Sequence, residues 1–275
     1  MSSSSVSPSS PSRRTALVTG ASSGIGAAVA TALVARGHHV YGTSRSPEKI
    51  TSPIPGVEYL ALDLTDHASV EACAAAAGEV DVLVNNAGES QNGPFEELPM
   101  DAVERVFRLN VFGAVHLTQL LLPGMRSRGY GRVVMVGSML ASFPLAYRSS
   151  YVATKAAIKG FSDSLRREVS PFGVGVSTVE PGSINTGISE RRTQYVREGS
   201  PFEAEYRTMV NTLNANEAKG VSAEKVATTV VRAVEARSPR PLYAVGSNAP
   251  LVFALRRLLP RSVMLRIVAR KHGLR

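Results

Sequence analysis

Tryptophan is absent from these 275 residues, cysteine occurs once, and aromatic residues make up only 6% of the chain. A lone Cys73 rules out an internal disulfide and fits a reducing compartment. It sits in the alanine-rich stretch Ala72 to Ala77, where a small helix filler is expected rather than a nucleophile. No apolar run reaches the roughly 18 residues of a membrane span. Arg13-Arg14 is followed by a short apolar stretch running into Thr19-Gly20, without a small-residue cleavage site, so no signal peptide is expected. Residues 1–12, mostly serine and proline, have little to bury and read as a disordered tail. Acidic residues are missing from Leu251 onwards, where seven basic residues stand, so of the net +9 only about +2 belongs to the rest of the chain. Charge confined to one terminus points to a local contact. Nucleic acid is not expected, because Phe253 is the sole aromatic there and offers no stacking platform.

What is present is globular in composition, 44% hydrophobic and 19% charged. β-prone runs at Ala16 to Thr19, His39 to Thr43, Val57 to Leu62, Val80 to Val84, Arg132 to Val136, Val174 to Val179 and Leu242 to Val245 alternate with helical stretches. The helices are expected at Ile25 to Ala35, Ala68 to Ala77, Val103 to Met125, Tyr151 to Val169 and Ala223 to Ala236. This order predicts one doubly wound (Rossmann) α/β domain over residues 13–247, with a central parallel seven-stranded sheet and helices on both faces. The polar insertion 187–220, at the carboxyl edge of such a sheet, reads as a substrate lid. Residues 248–275 read as a basic helical extension broken by Pro260. Its two amphipathic helices would lie on an anionic membrane surface, or, as is the commoner use of such a stripe, cover the domain or a partner subunit.

Thr19-Gly20-Ala21-Ser22-Ser23-Gly24-Ile25-Gly26 follows the first strand and opens the first helix. Gly20 and Gly24 permit a tight turn, the bare backbone lets a pyrophosphate approach, and the helix N-terminus offers amides and a positive dipole. Gly26 allows the helix to pack closely on the sheet. The second strand ends in Tyr41-Gly42-Thr43-Ser44-Arg45, with no acidic side chain before Glu48 to hold ribose hydroxyls. Arg45, with Ser44 and Thr43, can instead pair with a 2′-phosphate, which favours NADP(H). The plainer alternative for Arg45 is a solvated surface arginine.

The glycine octet, Asn85-Asn86-Ala87-Gly88, Asn110, Ser138, Tyr151-Val-Ala-Thr-Lys155 and Pro181-Gly182 together resemble the short-chain dehydrogenase/reductase family, in order and spacing from Thr15 to Val245. Within it the chain is most similar to the hydroxysteroid/retinol dehydrogenase-like branch. The resemblance implies an oxidoreductase that moves hydride between nicotinamide and a carbonyl/alcohol pair. Tyr151 and Lys155 are four apart on one helix face, and a nearby ammonium brings a phenol toward a working proton donor. By resemblance Ser138 hydrogen-bonds the reacting oxygen, Lys155 also holds the nicotinamide ribose, and Asn110 anchors a proton-relay water. Gly20, Ser22, Ser23, Gly24, Ile25 and Gly26 would line the pyrophosphate, Ser44 and Arg45 the 2′-phosphate, and Asp63 and Leu64 the adenine. Asn86, Ala87 and Gly88, then Pro181, Gly182, Ile184 and Thr186, would line the rest of the cofactor. Many relatives carry two serines where this chain has Gly137-Ser138, and the matching serine is the one kept.

Taken singly, Ser138 is an ordinary cap or turn residue, Asn110 an ordinary helix cap, and a Tyr and Lys one turn apart are common on any helix. Met139, Leu140, Phe143 and Tyr147 supply apolar pocket walls or plain packing, which leaves a lipophilic ketone or aldehyde as the expected substrate beside a polar one. The alternatives are an NAD-linked alcohol dehydrogenase of a small polar substrate and a non-catalytic NADP-binding regulatory protein. The latter predicts damage to the Tyr/Lys/Ser set, which is intact. No metal is expected. A cytoplasmic homodimer or homotetramer is expected by resemblance, with peripheral membrane contact through residues 249–275.

Overall fold

The computed structural model describes residues 13–187 and 191–274. Seven strands, β1 (Thr15–Val18), β2 (His39–Ser44), β3 (Val57–Ala61), β4 (Val82–Asn85), β5 (Gly131–Val136), β6 (Val174–Pro181) and β7 (Leu242–Val245), form one sheet. Its spatial order is β7-β6-β5-β4-β1-β2-β3, every pairing parallel, with the order reversing between β1 and β4. This is the expected doubly wound arrangement, and the reversal opens a crevice at the carboxyl ends of β1 and β4.

Strand alternation sorts the core into two layers. Ala16, Val18, Val82, Val84, Val134 and Val136 face α1 (Gly24–Val34) and α8 (Ala223–Glu235). Leu17, Leu83, Val133 and Met135 face the opposite way, toward α2 (His67–Ala77) and the long helices on that side. Cys73 lies within this second layer, and burial pushes its thiol up to about 11.

The single helix expected from Val103 to Met125 is divided. α3 (Met100–Phe107) and α4 (Gly113–Ser127) join through a π-helical turn, Arg108–Phe112, which carries Asn110. An uninterrupted apolar period gives no sign of one extra residue per turn, and such turns recur at functional sites. Met100–Ser127 is, by length and composition, long and apolar enough to cross a membrane, against the expectation that no segment is. Its apolar residues pack against α2, β5 and α6 (Ser149–Val169).

The region expected as a lid contains α7 (Glu203–Ala218), a helix that its polar composition conceals. Tyr206, Met209, Val210 and Leu213 make a narrow buried stripe at helical spacing. Residues 188–190 of the lid, like the 1–12 tail, lie outside the described residues. The C-terminal extension forms the two expected helices, α9 (Ala249–Leu258) and α10 (Arg261–Lys271), either side of Pro260. Met264 and Ala249 pack against Met139 and Phe143 beyond β5, while Leu251 and Leu258 stay exposed. The tail therefore covers the domain with one face and leaves apolar residues in solvent on another.

Candidate active site

The glycine turn is shaped by positions that no side chain can occupy. Gly20 and Gly24 have φ of +67° and +57°. A Cβ on Gly26 would lie 2.2 Å from the Gly20 carbonyl oxygen and 2.5 Å from Asn86 Nδ2. Thr19 Oγ1 accepts from the amides of Asn86 and Ala87, 2.9 Å each, and Asn86 Nδ2 donates to Thr19 O at 2.9 Å. Gly20 N donates to Thr43 Oγ1 on β2. Three strand ends are thus fixed around one turn. The Ser23 side chain does not cap α1; its hydroxyl instead accepts from Arg191 Nη1, which reaches it from the segment after β6.

One cavity of about 470 Å³ runs from this turn across the sheet. It is lined by Gly20, Ser23, Gly24, Ile25, Arg45, Asn86, Ala87 and Gly88 at one end. Ser138, Tyr151 and Lys155 lie along it, followed by Pro181, Gly182, Ile184 and Thr186. A second cavity of about 510 Å³ adjoins at Arg45 and is lined by Ser22, Ser44, Ser46, Lys49, Ile50, Thr51 and Ser52. Gly26 serves the turn from behind. Asp63 and Leu64 line neither cavity: the Asp63 carboxylate accepts from Thr65 N and Oγ1, which holds it below the usual carboxylate range, and Leu64 is buried against Gly113.

Tyr151 and Lys155 stand one turn apart on α6, both buried, with Lys155 Nζ 5.8 Å from the Tyr151 ring centre. Lys155 Nζ donates to Val136 O at 2.9 Å, which leaves two of its three N–H groups for a ligand. Ser138 caps the four-residue helix α5 (Met139–Ser142) by accepting from Leu140 N at 3.2 Å. The cap uses a lone pair only, so the same hydroxyl keeps its proton for an oxygen in the cavity. Asn110 makes no cap. Its Oδ1 accepts from Glu89 N, and its Nδ2 donates to Glu89 O and Thr154 Oγ1, placing it beneath Gly88 and against α6.

The other end of the cavity is apolar on one wall. Met139, Leu140, Phe143, Leu213, Val252, Met264, Ile267 and Val268 line it, so α7, α9 and α10 all contribute. Tyr147, expected there too, turns away with φ +63°, its hydroxyl bonded to Glu205 and its ring 5.8 Å from that of Tyr206. Sequence reasoning missed a polar set at this end: Ser90, Arg148, Arg192, Glu217 and His272. Arg192 Nη2 pairs with Glu217, its Nη1 donates to Asn214 Oδ1, and its Nε donates to Ser90 Oγ. Only Arg148 carried a signal, standing one helical turn before Tyr151.

Comparison with known proteins places this geometry. The short chain dehydrogenase family matches residues 14–196. The chain belongs to that family. An uncharacterized oxidoreductase of Bacillus subtilis is 33% identical over 94% of this chain and 98% of its own length. A 3-ketodihydrosphingosine reductase of Bacteroides thetaiotaomicron is 32% identical over 86% of this chain and 90% of its own. Human 17-beta-hydroxysteroid dehydrogenase type 1 is 37% identical over 74% of this short-chain dehydrogenase and 65% of its own length. A short-chain dehydrogenase structure from Streptomyces avermitilis superposes with a TM-score of 0.80 at 35% identity, covering 95% of this chain and 98% of that one. One from Burkholderia cenocepacia, in complex with NADP, gives 0.75 at 26% identity, covering 93% and 97%. Membership of the family makes the chain an oxidoreductase that binds a nicotinamide nucleotide and a small-molecule substrate.

Proposed function

We propose that this short-chain dehydrogenase uses NADP(H) to reduce a lipophilic ketone or aldehyde. One observation carries the reading: Tyr151, Lys155 and Ser138 sit along a single cavity with a glycine cradle at one end and an apolar wall at the other. The cofactor fit rests on the adjoining cavity. Among the described residues its lining holds two cations, Arg45 and Lys49, and four serines, with no carboxylate. Such a set suits a phosphate rather than a ribose diol. Gly20, Gly24, Asn86 and Gly88 would hold the pyrophosphate and ribose, and Lys155 the second ribose. When bound, the reduced nicotinamide supplies hydride to the carbonyl carbon. The Tyr151 hydroxyl gives its proton to the carbonyl oxygen, and the Ser138 hydroxyl donates a hydrogen bond to the same oxygen as charge develops.

Relatives named as a 3-ketodihydrosphingosine reductase and a 17-beta-hydroxysteroid dehydrogenase support the lipophilic reading, as does the apolar wall. The test is NADPH and NADH consumption over a panel of apolar and polar ketones, with Tyr151→Phe alongside. Turnover with NADPH, strongest on apolar ketones and at least about a hundredfold weaker in the variant, is the expected result. Equal rates in the variant, or turnover confined to polar ketones, would sink it.

The outward side of the tail extends the proposal to where the enzyme works. Leu251 and Leu258 are 60% and 79% exposed among Arg256, Arg257, Arg261 and Arg266, a face suited to anionic lipid. Leu258→Ser should weaken sedimentation with phosphatidylglycerol vesicles while leaving turnover of a soluble ketone unchanged.

A further inference from the structure

One charged side chain on the cavity has no part in the chemistry above. Arg148 is 3% exposed and lines the cavity three residues before Tyr151. Among the described residues no carboxylate pairs with it. Its Nη2 donates to Ser90 Oγ at 2.9 Å, whereas Nε and Nη1 are sealed from solvent without a hydrogen-bond partner. It occupies the N-cap position of α6, where the helix dipole disfavours a cation, and the Arg192 guanidinium shares Ser90 with it. A buried cation with no carboxylate in contact, at the wrong end of a helix, is destabilising on both counts. An arrangement that works against stability marks a functional constraint.

Geometry says what it acts on. The guanidinium carbon of Arg148 lies 4.6 Å from the Tyr151 ring centre, nearer than the 5.8 Å of Lys155 Nζ. The two nitrogens without partners have no solvent access, so an anionic group of a substrate does not reach them in this arrangement. We infer that Arg148 is a positioning residue for proton transfer, a second fixed cation over the face of Tyr151 that stabilises the phenolate as it forms. The inference rests on Tyr151 being the proton donor, as proposed above. When the carbonyl carbon takes hydride and its oxygen takes the Tyr151 proton, the phenol O–H bond breaks and its electron pair stays on the phenol oxygen. The alcohol departs and a solvent proton restores the phenol.

The other charges around Tyr151 largely cancel. Arg192 of the lid segment is paired with Glu217 of α7, and Glu89 after β4 with Arg105 of α3. Tyr206 of α7 is pushed up to about 12, mainly by burial, and so stays neutral. Burial likewise holds His272 below its ordinary value, and it is neutral at pH 7, while Lys271 is exposed. Among the described residues, Arg148 and Lys155 are left as the two cations over Tyr151 that no carboxylate pairs. The loop that holds Arg148 also fixes the helix start, since Gln91 Nε2 donates to Ser150 Oγ at 2.9 Å.

The experiment compares full-length wild type, Arg148→Lys and Arg148→Met in the pH dependence of kcat for alcohol oxidation, which rises as Tyr151 ionises. Tyrosinate difference spectra of each protein against its Tyr151→Phe counterpart follow the same ionisation without turnover. In Arg148→Met both curves should move up by about one pH unit, Arg148→Lys should restore most of the shift, and KM for NADP+ should stay within about twofold, since Arg148 lies outside the glycine cradle. If Arg148→Met does not fold, Arg148→Gln, which keeps a donor for Ser90, gives the same comparison. Unmoved curves with a lower kcat overturn the inference and leave a structural arginine. An effect confined to KM for carboxylate-bearing alcohols overturns it in favour of substrate contact. A fully active Tyr151→Phe sinks the reading of Tyr151 instead, separately from either result.

Discussion

Thr19 and Asn86 exchange hydrogen bonds across the crevice: the Thr19 hydroxyl accepts from the Asn86 amide, and the Asn86 side chain donates to the Thr19 carbonyl, both at 2.9 Å. The end of β4 is thereby stitched to the turn after β1, at the reversal in strand order where a nucleotide would lie. Gly26 lets this stitch close, because its missing side chain leaves space for both Gly20 O and Asn86 Nδ2.

Gly26→Ala should therefore act on the cradle as well as on the helix. A Cβ 2.2 Å from a backbone oxygen cannot be accommodated by a rotamer change. We expect a loss of about 2 kcal/mol in urea unfolding and NADPH binding weaker by at least about tenfold, read by fluorescence titration. Normal NADPH affinity in Gly26→Ala would show that the turn does not form the pyrophosphate cradle.

In the proposed function Arg45 selects the nucleotide. It borders both cavities, and its side chain is exposed, so its removal should not disturb the fold. Arg45→Ala should raise KM for NADPH by about tenfold to a hundredfold, the range for losing charge-assisted bonds to phosphate, and leave KM for NADH within about twofold. Equal change toward both nucleotides would assign Arg45 to the loop rather than to a 2′-phosphate.

The residues show why parts of this were readable in sequence and parts were not. Strand alternation is strictly local, so Ala16, Leu17 and Val18 announce a strand buried on both faces without any knowledge of their neighbours. The glycine turn and the Tyr151/Lys155 spacing are local as well. Arg192 meets Glu217 across 25 positions and Ser90 across 102, and His272 joins them from the far end of the chain. Contacts of that separation leave no period to read. The π-turn at Asn110 and the helix α7 were hidden for a different reason: one preserves the apolar pattern while changing the winding, the other buries only four residues of 16.

Arg192 and Glu217 pair within the 187–220 insertion, beside the cavity. Arg192's side chain is 1% exposed, and its removal would leave Glu217 without its charge partner and Asn214 Oδ1 without a donor. Breaking one side of a buried pair costs about 3 kcal/mol. Arg192→Met is expected to lower Tm and to raise KM for the ketone more than KM for NADPH, because the pair sits at the substrate end of the cavity. Paired replacement, Arg192→Met with Glu217→Leu, should recover part of the Tm. A double variant no more stable than the single one would mean that Glu217 is not stranded by the loss of Arg192.

His272 couples the tail to pH. Burial, the largest influence, pushes its imidazole below the ordinary 6.5, and its Nδ1 sits 2.9 Å from Val268 O on α10. A histidine that is harder to protonate when folded than when unfolded makes unfolding take up a proton between the two values. Its contribution is therefore intact above 6.5, declines as pH falls through 6.5 toward the folded value, and is level below it. His38 shifts the same way, so the comparison must be a difference between wild type and His272→Gln. Thermal unfolding from pH 7.5 to 5 should show a steeper loss in wild type. Hydrogen exchange should place the extra opening in α10, next to Met264 and Leu274, which close the cavity and its neighbouring core. Parallel curves for the two proteins would mean that His272 titrates in the fold as freely as in the unfolded chain, and that acid does not loosen this wall of the substrate cavity.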